Sequence, residues 1–187
     1  IMAGNVGLLK HASLTQGCAA AIEEMVIAAG APAGLFQNLA IKSGAVAGLI
    51  ADDRIAAVTL TGSEGAGASV AEAAGRALKK VVLELGGSDP FIVMPSADIA
   101  KAAEVAVTAR LQNAGQSCIC AKRMIVHADV YDDFLARFSA GMAAAKVGDP
   151  MDADTMVGPL SSEAQRDEVV EQLARLTAKG AKLVAGG

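Results

Sequence analysis

Apolar positions along this chain follow two rhythms. Short apolar runs, suited to strands buried on both faces, alternate with longer stretches in which alanine and polar residues recur at helical spacing. Residues 5–10 (NVGLLK), 35–40, Ala56 to Leu60, 80–85 (KVVLEL), 91–94 and 123–127 read as strands. Helices are expected from Ser13 to about Ala29, around 44–51, from Gly62 and Ser63 to about Lys79, after a cap near Asp98, over about 131–146, and from Ser162 to about Lys179. Ser13 with Gln16, and Ser162 with Gln165, have capping-box spacing. Gly30 with Pro32, and Gly180, are the expected stops. Residues 147–160 (VGDPMDADTMVGPL) read as a long surface turn, and AKLVAGG as the start of a further strand.

Alternating strands and helices of these lengths predict an α/β fold of parallel sheets covered by helices. The run Gly86-Gly87-Ser88-Asp89-Pro90 is dense in turn residues and marks a lobe boundary. No internal repeat or low-complexity segment interrupts the pattern.

Composition narrows the class. Of 187 residues, 53% are hydrophobic and 3% aromatic, so the core must be built from Ala, Val, Leu and Ile. Net charge is −4 with no basic patch, which argues against a nucleic-acid partner. No apolar run reaches the roughly 18 residues of a membrane span, so no membrane partner is expected. Three cysteines, an odd and low count, argue against a secreted disulfide scaffold and for a cytoplasmic location. Nothing has metal-ligand spacing.

Three places carry candidate chemistry. Gly62-Ser63-Glu64-Gly65-Ala66-Gly67 follows a predicted strand and opens a helix, where glycines and a helix N-terminus can receive a phosphate. An ordinary strand–turn–helix would read the same. Cys118 sits in a polar, glycine-containing loop, Asn113-Ala114-Gly115-Gln116-Ser117-Cys118. A thiolate there would be a strong nucleophile, and a buried inert thiol is the alternative. Glu84 ends an apolar strand. Desolvation would make its carboxylate a stronger base, unless the side chain reaches solvent. Cys18 lies in a helical run and reads as core, and the methionines read as core filling.

Taken together, Thr61-Gly62-Ser63, Glu84-Leu85-Gly86-Gly87-Ser88-Asp89-Pro90 and Gly115-Gln116-Ser117-Cys118 resemble the aldehyde dehydrogenase superfamily in order and spacing. The resemblance runs across essentially the whole chain. The succinate-semialdehyde dehydrogenase type is nearest, through ALKKVVLELGGSDPFIV and Leu9-Lys10-His11-Ala12. It implies a Rossmann-like cofactor lobe and a catalytic lobe. Residues 1–88 would be the C-terminal part of the NAD(P)-binding domain, and 89–187 the N-terminal part of the catalytic domain. It also implies oxidation of a small aldehyde to the acid with NADP or NAD. Cys118 would attack the aldehyde to give a thiohemiacetal, hydride would pass to the nicotinamide, and Glu84 would activate the water that hydrolyses the thioester. The backbone N–H of Cys118 would form half of an oxyanion hole. Lys10 would meet the adenosine ribose, with His11, Ala12 and Ser13 beside it. Gly62 and Ser63 would meet the pyrophosphate, Thr61 the nicotinamide, and the Leu85 backbone would line the same site. A neutral Ser13, where NAD-preferring members often carry an acid, would tolerate a 2′-phosphate. Cys118 and Cys120 would form the C-x-C pair that some members oxidise to a disulfide.

The resemblance also marks departures. Members are much longer than this chain, so these residues alone are expected to be inactive; the resemblance implies a homo-oligomer in the full-length form. Gln112 and Asn113 stand where many succinate-semialdehyde dehydrogenases place an Arg, and Arg110 is the nearest cation. An uncharged aldehyde therefore remains an alternative substrate.

Overall fold

The computed structural model describes residues 1–186. The chain divides into two compact units, Ile1–Leu85 and the residues from Gly86 onward.

The first unit holds two parallel strand pairs, each closed by a helix. Strand β1 (Gly7–Leu9) pairs with β2 (Phe36–Asn38), and α1 (Gln16–Ala28) connects them. A short helix, α2 (Val46–Ala51), leads to β3 (Ala57–Thr61). Helix α3 (Glu64–Arg76) then crosses to β4 (Lys80–Glu84), which runs parallel to β3 with Thr61 opposite Glu84. Ile50, Val70 and Ala74 are buried between α2, α3 and this sheet, against Val58, Leu60 and Leu83. Helix α3 stops at Arg76 because Leu78 turns left-handed, with φ of 54°. The Lys79 ammonium then donates to the Ile50 and Asp52 carbonyls, tying the end of α2 to this turn.

The second unit repeats the pattern. Strand β5 (Pro90–Val93) runs parallel to β6 (Arg123–Val126), with α4 (Ile99–Leu111) between them in sequence. The Asp98 carboxylate accepts from the Lys101 N–H and starts α4. Helix α5 (Tyr131–Ala144) packs on α4, with Asp132 and Asp133 in its first turn, where the helix dipole favours acid. Val93, Ala103, Ala106 and Phe134 form the buried centre, and Phe138 stacks on Phe134 at 5.7 Å. Helix α6 (Glu163–Ala178) follows the long turn, and Ser162 Oγ accepts from the Gln165 N–H.

Several expectations fail, each for a local reason. The Ser13–Gln16 capping box does not form. Residues Ser13–Thr15 make a single 3₁₀ turn, and Ser13 gives no cap hydrogen bond. His11 Nδ1 instead accepts from the Ala12 N–H at 2.9 Å and lies 2.5 Å from Thr15 Oγ1, while Gln16 reaches back to the His11 carbonyl. Cys18 is exposed, and its neighbour Ala19 is the buried residue of α1. One residue of helix turns the side chain about 100° away. The AKLVAGG segment forms no strand over its described residues 181–186. A strand needs a hydrogen-bonded neighbour, and none pairs with it among the described residues.

Helix α5 approaches α4 closely at Gly141. A Cβ at Gly141 would lie 2.7 Å from Val107 Cγ2. Val107 is buried and β-branched, so it has almost no alternative rotamer in a helix. Gly141→Ala gains roughly 1 kcal/mol of helix propensity. Overpacking costs typically 1–3 kcal/mol. Net destabilisation is expected, with a partial recovery in Gly141→Ala/Val107→Ala relative to the sum of the single changes. Additive unfolding energies in denaturant would rule out the contact.

Candidate active site

In the first unit, the predicted cofactor residues lie beyond the carboxyl ends of its strands, where open α/β sheets bind ligands. Thr61 ends β3 and lies opposite Glu84 at the end of β4, and the Gly62 N–H donates to the Glu84 carbonyl at 3.0 Å. Ser63 is the N-cap of α3, its hydroxyl accepting from the Ala66 N–H at 3.3 Å. Leu85 follows directly and packs on Gly67 of α3. The pairing of β3 with β4 therefore brings Thr61, Gly62, Ser63, Glu84 and Leu85 together.

At this helix start, the Glu64 and Gly65 N–H groups are among those an α-helix cannot satisfy internally. Such N–H groups can receive an anionic group. Lys10, His11, Ala12 and Ser13 follow β1, in the other strand pair of the same unit. Lys10 is half-buried and makes no ion pair or hydrogen bond among the described residues. Ser13 is exposed. The His11 ring is engaged locally with Ala12 and Thr15.

Of the two readings left open for Glu84, the structure selects the solvated one. Its apolar flanks suggested a desolvated carboxylate, yet the side chain is exposed. Among the described residues, β4 pairs only with β3.

In the second unit, Cys118 lies on the loop between α4 and β6. Helix α4 breaks at Leu111, and Asn113, Ala114 and Gly115 follow with φ of 51°, 54° and 76°. Left-handed backbone costs roughly 1–2 kcal/mol at a non-glycine residue. Such strain persists only where the surroundings hold it, and here three side chains do so. Gln116 Nε2 donates to the Asn113 carbonyl at 3.3 Å, while its Oε1 accepts from the Ser161 N–H at 2.8 Å. Arg110 donates to the Gly115 carbonyl at 3.3 Å. Lys122 donates to the carbonyls of Gly87, Ser117 and Cys118. On this loop Cys118 is exposed, whereas Cys120 is fully buried with its thiol on the Gln112 carbonyl at 3.4 Å. All three cysteines are free thiols. No cluster of three His, Cys, Asp or Glu side chains suited to a metal occurs among the described residues.

The sequence matches the profile of the Aldehyde dehydrogenase family over residues 1–187. The chain belongs to that family. It is 58% identical, along its whole length, to succinate-semialdehyde dehydrogenase [NADP(+)] 1 of Mycobacterium tuberculosis, and spans 41% of that protein. Among solved structures, it resembles succinic semialdehyde dehydrogenase of Streptococcus pyogenes in complex with NADP+. There the TM-score is 0.94 and the identity 46%, over 98% of this chain and 40% of that one. It is also similar to lactaldehyde dehydrogenase of Escherichia coli, with TM-score 0.94 and 34% identity over 98% of this chain and 39% of that one. These likenesses account for the α/β fold with short parallel sheets.

Sequence reasoning missed Lys122 and Arg123, and read Gly87 only as a turn and motif residue; the three join two distant segments around Cys118. Arg123 Nε donates to the Ser88 carbonyl at 2.7 Å, beside the Lys122 contact to Gly87. A Cβ at Gly87 would lie 2.9 Å from the Cys118 carbonyl oxygen, with main chain on both sides. Neither side can step aside cheaply. Gly87→Ala should therefore cost about 1–3 kcal/mol, the usual range for overpacking. Chemical denaturation of the variant checks this, and a change inside about 0.5 kcal/mol, the range of an ordinary surface substitution, would contradict the close approach.

Proposed function

We propose that this chain carries the nucleophile, the general base and part of the cofactor site of an NADP-accepting aldehyde dehydrogenase acting on succinate semialdehyde. The observation that carries this reading is the exposed Cys118 thiol on a strained loop held from three sides. Family membership and the names of the similar proteins support it. Residues 1–88 are taken as the C-terminal part of the cofactor domain, and 89–187 as the N-terminal part of the catalytic domain.

The chemistry follows from the residue types. Cys118 Sγ attacks the aldehyde carbon to give a thiohemiacetal, and the Cys118 N–H receives the oxygen that becomes negative. When bound, the nicotinamide supplies the hydride acceptor. Glu84 then takes a proton from the water that hydrolyses the thioester. Its exposure fits a base that must meet water. The free N–H groups at the start of α3, with Gly62 and Ser63, suit a pyrophosphate. Thr61 and Leu85 flank the nicotinamide end, and Lys10, His11, Ala12 and Ser13 the adenosine end. Neutral Ser13 admits a 2′-phosphate. The full-length form is taken to be a cytoplasmic homo-oligomer.

A second reading keeps the chemistry and changes the substrate. Gln112 and Asn113 are uncharged, and Arg110, the nearest cation, already donates to Gly115. An uncharged aldehyde is the alternative on that ground.

Reduced-nicotinamide absorbance, followed in the full-length protein with NADP or NAD, decides between them. Succinate semialdehyde should turn over faster than an uncharged aldehyde, and the reverse preference would select the second reading. Cys118→Ser should abolish turnover with either while cofactor binding persists. Retained turnover would remove Cys118 from its role. Glu84→Gln should slow thioester hydrolysis, so that intact-mass analysis finds an acyl adduct on Cys118. Normal turnover without that adduct would remove Glu84 as the base.

A further inference from the structure

Lys122 makes no ion pair with an acid among the described residues. Its ammonium has three N–H donors and uses each on a main-chain carbonyl. The acceptors are Gly87 at 2.5 Å, Ser117 at 2.9 Å and Cys118 at 3.2 Å. Fixing a lysine side chain costs up to about 2 kcal/mol of rotamer freedom. Charge-assisted hydrogen bonds, roughly twice as strong as neutral ones, offset that cost. The side chain is half-buried, unlike a solvated surface cation.

The contact with Ser117 has a directional consequence. A trans peptide is planar, so the Ser117 C=O and the Cys118 N–H point in opposite directions within one plane. The Ser117 oxygen is held by Lys122 and also by the Cys120 N–H at 3.2 Å. Its orientation is thereby fixed, and the Cys118 N–H is aimed to the far side. That N–H has no acceptor among the described residues. A cation on the carbonyl also polarises the amide and makes its N–H a stronger donor.

We propose that Lys122 is a positioning residue that aims and strengthens the Cys118 N–H for the developing oxyanion. The inference rests on the reading of Cys118 as the nucleophile. In that step the Sγ–C bond forms, and the carbonyl π pair moves onto oxygen, opposite the N–H. Lys122 touches neither the substrate nor the thiol; it acts through the peptide plane.

The test uses the full-length protein, with Lys122→Met to keep the stem and remove the donors. Two reactions at Cys118 are compared. Aldehyde oxidation passes through an oxyanion, whereas alkylation by iodoacetamide displaces iodide at the same sulfur and forms none. Loss of one oxyanion donor costs about 100- to 1,000-fold, and here the donor is misaimed rather than deleted. The kcat for the aldehyde should therefore fall at least about tenfold, while the alkylation rate of Cys118 stays within about twofold. Lys122→Gln, with two neutral donors, should fall between. If Lys122→Met gives no soluble protein, Lys122→Gln is judged by the same comparison.

Unchanged kcat overturns the proposal. So does an equal fall in oxidation and alkylation, which is what general loosening of the loop would produce. Wild-type turnover that survives Cys118→Ser overturns the nucleophile assignment itself, and the Lys122 role with it. With the Cys118 requirement intact, a failure belongs to Lys122 alone.

Discussion

Parallel pairing is the constraint from which the rest of this structure follows. Parallel strands cannot be joined by a tight turn, so each pair needs a crossover, here a helix. Three such units occur in series: β1–α1–β2, β3–α3–β4 and β5–α4–β6. The crossover leaves each strand at its carboxyl end, and candidate chemistry collects where chain must leave the sheet. Thr61, Gly62 and Ser63 are the turn out of β3, and Glu84 and Leu85 are the exit from β4. The Cys118 loop differs, because it enters β6 instead of leaving a strand. It is correspondingly the most strained segment of its unit, with three successive left-handed residues.

The six paired strands and the six helices were legible from periodicity and turn residues, with ends shifted by a few positions. Short apolar runs bounded by glycine and proline carry that information locally. Where side chains compete for one backbone group, local reading fails. Ser13 has the spacing of a cap, but the Thr15 N–H is taken by the Ala12 carbonyl and the Gln16 side chain turns back to the His11 carbonyl. Cys18 and Ala19 are neighbours in a helix apolar nearly all round, so sequence could not say which faces inward. Glu84 was legible as a candidate base through the resemblance, but its solvation was not. Apolar neighbours along a strand do not reveal whether anything covers its end.

The Cys118 loop shows a different limit. The residue types Gly115, Gln116, Ser117 and Cys118 point to the chemistry, but the support for them is distributed. Ser161 holds Gln116 from 45 residues away in sequence. Lys122 reaches Gly87 and Arg123 reaches Ser88, each across 35 residues. No periodicity encodes a contact of that span. The two cations sit where a strand begins, in a position that reads simply as a polar edge.

The loop needs such distributed support because its own backbone disfavours it. Ala114 loses on the order of 1 kcal/mol in the left-handed region and Asn113 less, and hydrogen bonds within the loop are few. What tips the balance comes from outside: Arg110 from the last turn of α4, Ser161 from the turn before α6, and Lys122 from the start of β6. The Arg110 and Lys122 contacts end on main-chain carbonyls, and the Ser161 N–H holds the Gln116 side chain. Main-chain carbonyls cannot change rotamer, so a cation bound to three of them fixes peptide planes and not merely positions. A nucleophile needs that distinction. Exposing a thiol requires only a loop, whereas presenting an N–H beside it at a defined angle requires that the peptide before it be held by its oxygen.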